Sequence, residues 1–240
     1  MQERYLGDSH DFVKYALLRH LRSSLDLRLG VNWYLTHPDE VDKGDKKAKD
    51  HGEKRHHLKG GVWQSWDKEL FESIKIFEEK KNRLLKNIPS HEILPADTSY
   101  FEEIVPASDR ALWHERGMKA LSSAGIVFLD PDNGFEVKSA SNKKLPKYSL
   151  YDEAIDYHRQ GQIAVSIQFA RQCCPERKAY DIRKNLYERA DYNAQLPVVR
   201  GRVAPNILFL FLAPPDNVSR LSQTLVDFAV KTEGKAELIY

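Results

Sequence analysis

The 240-residue chain reads as an α/β protein, and three features of its sequence predict that class. Helical and extended patterns alternate along its length, the order expected of a mostly parallel sheet joined by right-handed crossovers and covered by helices on both faces. Residues 126–133, Ile-Val-Phe-Leu-Asp-Pro-Asp-Asn, run from four apolar side chains into an acidic turn stopped by proline. That is how a buried parallel strand delivers polar groups to the open end of a sheet. Residues 163–169 alternate the β-branched Ile163, Val165 and Ile167 with smaller or polar residues, which favours an extended chain. At this length a single domain with one large core is expected, and no repeat or linker divides the sequence.

The elements follow in order. Phe12, Tyr15, Ala16, Leu18, Leu21 and Leu25 recur at helical spacing over 8–25, with Asp8 or Ser9 placed to cap the helix. Residues 29–36 predict a strand ending in His37-Pro38-Asp39-Glu40. The polar, lysine-rich stretch 41–61 closes on Gly60-Gly61 and predicts a mobile surface excursion with nothing to offer a core. Residues 66–85 predict an exposed amphipathic helix, and 93–97 a short strand with its terminal turn. A helix over 107–124 would bury Leu112, Trp113, Met118 and Leu121 and end at Gly125. A polar loop over 134–147 leads to a helix over 151–160. Beyond the 163–169 strand come a helix over 177–191, the most apolar strand at 207–212, a helix over 221–230 and a last short strand at 237–240.

Composition narrows the functional classes. Hydrophobic residues make up 41% and charged residues 30% of the chain, no apolar run is long enough to span a bilayer, and the amino terminus lacks the apolar core of a signal peptide. No membrane partner and a cytoplasmic location are the expectation. Cys173 and Cys174 are adjacent, which suits neither a disulfide framework nor spaced zinc ligands; buried or half-buried free thiols are expected. Net charge is only +2, yet basic residues gather at 43–59 and again at 177–202. Such clusters either track nucleic-acid phosphates or form a solvated surface.

Polar groups at predicted strand ends are the first chemical candidates: His37, Asp39 and Glu40, then Asp97, then Asp130, Asp132, Asn133 and Glu136. In an open α/β sheet ligands bind beyond the carboxyl ends of the strands, so these residues would share one edge. Asp and Asn also cap turns with no ligand involved. The second candidate is residues 7–15, Gly-Asp-Ser-His-Asp-Phe-Val-Lys-Tyr, at the start of the first helix. There Lys14 and free backbone N–H groups could meet an anionic ligand, whereas Asp8 could simply cap and Asp11 with Lys14 form a weak i,i+3 pair.

The 7–15 stretch resembles the Gly-Asn-x-x-Asp-Val-x-Lys-His run of the S-adenosylmethionine-dependent large-subunit ribosomal RNA adenine-N6 methyltransferases. Collinear likenesses follow: Tyr34-Leu35-Thr36-His37 is similar to that family's first cofactor strand, residues 92–97 to its Glu-Leu-His-Pro-x-Asp segment, and Leu129-Asp130-Pro131 with Glu136 to its Asp-Pro-Pro-Tyr-Glu catalytic motif. The Asp-Pro-Asp-Asn-Gly signature also resembles that of a group of uncharacterised bacterial proteins. The resemblance implies a Rossmann-like fold of the methyltransferase type, S-adenosylmethionine as cofactor and a nucleic-acid amino group as target. It implies that Lys14 and His37 lie by the methionine end of the cofactor, that Glu92 or Asp97 lies by its ribose or adenine, and that Asp130, with Asn133, receives the amine. Asp8, Asp11, Phe135 and Glu136 would then contact substrate. The family's glycine-rich turn is here His37-Pro38-Asp39-Glu40, and its second Pro and its Tyr are Asp132 and Asn133, so Phe135, Tyr148 or Tyr151 would supply the stacking aromatic.

Two other readings stay open on the residues alone. Pro131-Asp132 and Glu136-Val137-Lys138 are similar to the Pro-Asp and Glu-x-Lys elements of Mg²⁺-dependent nucleases, in which two carboxylates hold the metal and a lysine positions water. A non-catalytic protein that binds nucleic acid through its basic clusters is the other.

Overall fold

The computed structural model describes residues 1–36, 54–137, 140–141 and 143–240; His37, Asp39, Glu40, Lys138 and most of the expected surface excursion lie outside the described residues. Seven strands form one sheet in the order β2-β1-β3-β4-β6-β5-β7. They are β1 (Leu29–Asn32), β2 (Ser99–Phe101), β3 (Ile126–Leu129), β4 (Ile163–Ala170), β5 (Val198–Gly201), β6 (Asn206–Leu212) and β7 (Ala236–Ile239). The first four strands in that order are parallel, as expected, but β4–β6, β6–β5 and β5–β7 are antiparallel, so the sheet is mixed rather than mostly parallel. The cause is local. Gly201 pairs with Ile207, and the few residues between them leave room for a hairpin but not for a crossover.

Helices cover both faces. The main ones are α1 (Ser9–Leu25), α2 (Val62–Trp66), α3 (Lys68–Ser73), α4 (Asn87–Ser90), α5 (Arg110–Ala120), α6 (Tyr151–Arg159), α7 (Pro175–Ala190) and α8 (Pro215–Lys231). The strand period of two sorts side chains between the faces. Ile126, Phe128, Ile163, Val165, Phe209 and Phe211 pack with α1, α8 and the aromatic residues of α2, whereas Val127, Leu129, Leu208 and Leu210 pack with α5, α6 and α7. Each such fully buried side chain contributes roughly 1.5–3 kcal/mol of transfer free energy, so the two apolar layers carry the fold.

Several elements differ from expectation for identifiable reasons. The first strand stops at Asn32 because Tyr34 takes a left-handed φ of 47°, its N–H bonded to the Asn32 side chain at 3.2 Å. The helix expected over 66–85 is broken at Asp67, whose carboxylate accepts from Leu70 N and starts α3 afresh. Trp66, at the head of that stretch, is buried against Phe12 rather than exposed, and Trp63 just before it is buried beside it. Residues 93–97 are turn, not strand, with Ile93 and Leu94 buried; β2 begins only at Ser99. In α5 Trp113 is buried but Leu112 is exposed. Residues 54–59 are not wholly superficial: His57 is fully buried and stacks on Phe12 at 5.4 Å. Cys173 and Cys174 are exposed, contrary to expectation, because they fall in the turn before α7. Among the described residues no helix is long and apolar enough to cross a membrane.

Candidate functional site

The chain leaves β1 toward β2 on one side and leaves β3 toward β4 on the other, so the strand order reverses between β1 and β3. Beyond the carboxyl ends of such neighbours lies the crevice where open α/β sheets bind ligands. Here a hollow of about 560 Å³ opens at that rim, lined by Asp8, Asp11 and Lys14 of the α1 start, Asp130 to Asn133 after β3, and Phe169 and Arg171 at the end of β4. That volume is within the range of small-molecule sites, roughly 300–1,000 Å³.

The floor is a chain of buried charges. Lys14 Nζ lies 2.8 Å from Asp130 Oδ1 and 3.1 Å from Asp11 Oδ1, using two of its three N–H donors. Asp130 is 1% exposed, and its Oδ2 meets no donor among the described residues. Burial pushes the Asp11 carboxyl up to about 6, against the opposing pull of Lys14. Burial also works to discharge Lys14, but Asp130 and Asp11 outweigh it and hold the ammonium above its ordinary range. Asp8 caps α1, accepting from His10 N at 2.8 Å and Asp11 N at 3.0 Å, while Ser9 N donates to Lys54 O at 2.7 Å. The first N–H groups of the helix are therefore engaged by the protein itself and are not free for an anion. Burial raises the Asp8 carboxyl less than His10 and Lys14 lower it.

Asp132 is committed to the amino terminus. Its Oδ1 is 3.2 Å from the Met1 ammonium, and its Oδ2 accepts from Thr36 Oγ1 at 2.9 Å and Gln2 Nε2 at 3.3 Å. Burial is outweighed by that ammonium and the Thr36 hydroxyl, which hold the carboxyl below its usual range. Met1 also donates to Tyr34 O, so the amino terminus occupies the crevice between the β1 and β3 ends. The Asp-Pro-Asp-Asn-Gly turn itself is clamped by Gln168 of β4, whose Oε1 accepts from Phe135 N at 3.0 Å and whose Nε2 donates to Asn133 O at 3.3 Å. Gly134 has φ +93°, and a Cβ there would stand 2.6 Å from Gln168 Oε1.

The residues singled out in the sequence thus divide. Asp8, Asp11, Lys14, Asp130, Asp132 and Asn133 gather at the hollow. Phe135 does not: it is fully buried and stacked on Tyr151 with centroids 4.4 Å apart, on the opposite face of the turn. Glu136 pairs with Arg189 of α7 at 3.3 Å and so does not converge with Asp132 as a metal-holding pair would. Among the described residues no three acidic, His or Cys side chains are grouped to hold a metal ion. Asp97 precedes β2 instead of following a strand, and it pairs with Arg22 at 3.0 Å near the far end of α1. Roughly 12 Å of helix rise separates Arg22 from Lys14. The Glu92 carbonyl accepts from Arg19 in the same neighbourhood, beside a second hollow of about 550 Å³. His37 and Lys138 lie outside the described residues.

Sequence reasoning passed over Phe169, Arg171 and Gln172. The signal was present, since they end a recognisable strand next to the Asp130 strand. No protein-family model and no curated protein matches the chain.

Proposed function

We propose that the protein is an S-adenosylmethionine-dependent methyltransferase of the Rossmann-like type that acts on a nucleic-acid amino group received at Asp130. One observation carries this reading: a carboxylate 1% exposed, on the floor of a hollow at the sheet's switch point, with one oxygen held by Lys14 and the other meeting no donor among the described residues. A buried acceptor left unpaired costs roughly 1–3 kcal/mol, which a ligand N–H recovers. The donor set also suits the charged end of the cofactor. Asp11 and Asp130 contact Lys14 and the charge of Asp8 also bears on it, so Asp8 and Asp11 would face a sulfonium or ammonium group, and the remaining N–H of Lys14 would face a carboxylate. Glu92 and Asp97 stand too far along α1 to hold the same molecule, so they have no part in this proposal.

The cofactor supplies an electrophilic methyl group when bound. Asp130 would do the rest by position: its free oxygen accepts one N–H of the target amine, turns the nitrogen lone pair toward the methyl, and takes up the proton released when the new C–N bond forms. Lys14 and Asp11 hold that carboxylate in place. Titration calorimetry with S-adenosylmethionine and with its demethylated product tests cofactor binding directly. Transfer of a labelled methyl group to oligonucleotides should fall roughly 100-fold or more in Asp130→Asn, the usual scale for a positioned acid–base group. Full activity in that variant removes the assignment, and no binding heat with either compound removes the whole reading.

A further inference from the structure

Two arginine–aromatic pairs stand at the mouth of the hollow. The Arg171 guanidinium carbon lies 5.0 Å from the centre of the Phe169 ring, and that of Arg4 lies 4.7 Å from the centre of the Tyr5 ring; all four residues line the hollow, as does Lys147. Carrying the β3–β4 register on from Leu129↔Ser166 sets Phe169 beside Asp132, and Arg171 Nη2 indeed reaches Asp132 O at 3.5 Å. His10, bonded to Pro205 O at 2.7 Å, braces the Phe169 ring edge-on at 5.4 Å. Gln172 next to this pair has a left-handed φ of 52°, the kind of backbone outlier that clusters at ligand sites.

The mouth is therefore cationic and aromatic, and the floor is acidic, with an Asp130 oxygen that meets no donor among the described residues. These opposite demands are met together by a ligand with phosphate and a planar ring at one end and an amino group at the other. Single-stranded nucleic acids are held in this way, with bases stacked on aromatic rings and phosphates beside Arg and Lys. A duplex keeps its base faces covered and would have to extrude a base first, at a cost of a few kcal/mol.

We propose that the hollow receives one nucleotide of a single-stranded nucleic acid, its base stacked on Phe169, its phosphates against Arg171 and Lys147, and its exocyclic amine turned down toward Asp130. This rests on the reading of Asp130 as an amine receiver and adds to it the strandedness of the substrate and the residue that supplies the stacking surface. Phe169 takes the role that the sequence had given to Phe135, Tyr148 or Tyr151.

Fluorescence anisotropy with a labelled single-stranded oligonucleotide and with its duplex tests this. A second single strand carries 2-aminopurine to report stacking. The wild type should bind the single strand roughly 10-fold or more tighter than the duplex and change the 2-aminopurine signal, since stacking on one aromatic ring supports a discrimination of this order. Phe169→Leu, which keeps most of the buried volume, should abolish that change and weaken binding roughly 5-fold or more. Arg171→Gln, at an exposed position, should weaken binding and reduce the salt dependence by about one phosphate contact. Equal affinity for strand and duplex, no binding to either, or a Phe169→Leu protein that binds and signals like the wild type overturns the inference, whatever the calorimetry shows. Single-strand binding that depends on Phe169 and Arg171, in a protein that gives no heat with S-adenosylmethionine, would support the inference and sink the methyltransferase reading alone.

Discussion

Asp11 and Lys14 are three residues apart on α1, a spacing worth a few tenths of a kcal/mol on a solvated helix. Burial changes its meaning, because both groups now belong to a charge chain that ends on Asp130. With the Asp11 carboxyl pushed up to about 6, it is neutral below that pH and anionic above it. An amine or sulfonium ligand in the hollow should therefore bind more tightly as pH rises through about 6, and Asp11→Asn should flatten the profile; calorimetry at several pH values checks both. His57 works in the other direction. Burial, then the charge of Arg55, holds its ring down to about 4, below the ordinary 6.5. The folded state thus binds that proton less readily than the unfolded chain, and stability is lost as pH falls from 6.5 toward 4. Denaturant titrations should show wild type losing roughly 3 kcal/mol more than His57→Gln between neutral pH and pH 4. At this scale, placing polar residues at strand ends found Asp130, because strand direction fixes where that side chain arrives, while Lys14 came from the separate reading of the first helix's start. Strand-end placement said nothing of Phe135, which the family resemblance set against substrate; the positive φ of Gly134 turns that side chain to the opposite face. It misplaced Asp97 because the strand starts after that residue instead of ending before it.

The Asp-Pro-Asp-Asn-Gly turn behaves as an element in its own right, tied to β4 through Gln168 and to the 147–149 backbone through Asn133 N→Lys147 O and Ser149 N→Gly134 O. Gly134→Ala places a Cβ against Gln168 and penalises the left-handed backbone by roughly 1–2 kcal/mol before any clash is counted. The expected result is a fall of at least about 2 kcal/mol in unfolding free energy together with loss of Asp130-dependent binding, read by denaturation and calorimetry on one preparation. The start of α1 was legible because helical spacing follows two good caps, Asp8 and Ser9; of the two, Asp8 is the cap and the helix begins at Ser9, one residue inside the expected 8–25. The stretch 66–85 was not, because apolar spacing alone cannot register that Asp67 restarts the helix and that Trp66 turns inward.

β4 is the seam of the whole sheet, parallel to β3 on one side and antiparallel to β6 on the other. Ile167, fully buried on it, packs into the layer under α1 and α8, and Ile167→Ala should cost roughly 2–4 kcal/mol in a denaturant melt. The alternation of helix and strand made the α/β class readable from composition upward. The direction of the last three strands was not readable, because strands buried on both faces show the same apolar run whichever way they point. On either side of residues 37–53 the chain is pinned beside the hollow. Thr36 bonds to Met1 O and to Asp132, while Arg55 donates to Leu6 O and Gly7 O and Lys54 O accepts from Ser9 N. A fluorophore or epitope carried in that interval would replace no residue that lines the cavity, yet would be tethered at one end to Met1 and Asp132 of the cavity wall and at the other to Leu6, Gly7 and Ser9, which flank the lining residues Tyr5, Asp8 and His10 in sequence.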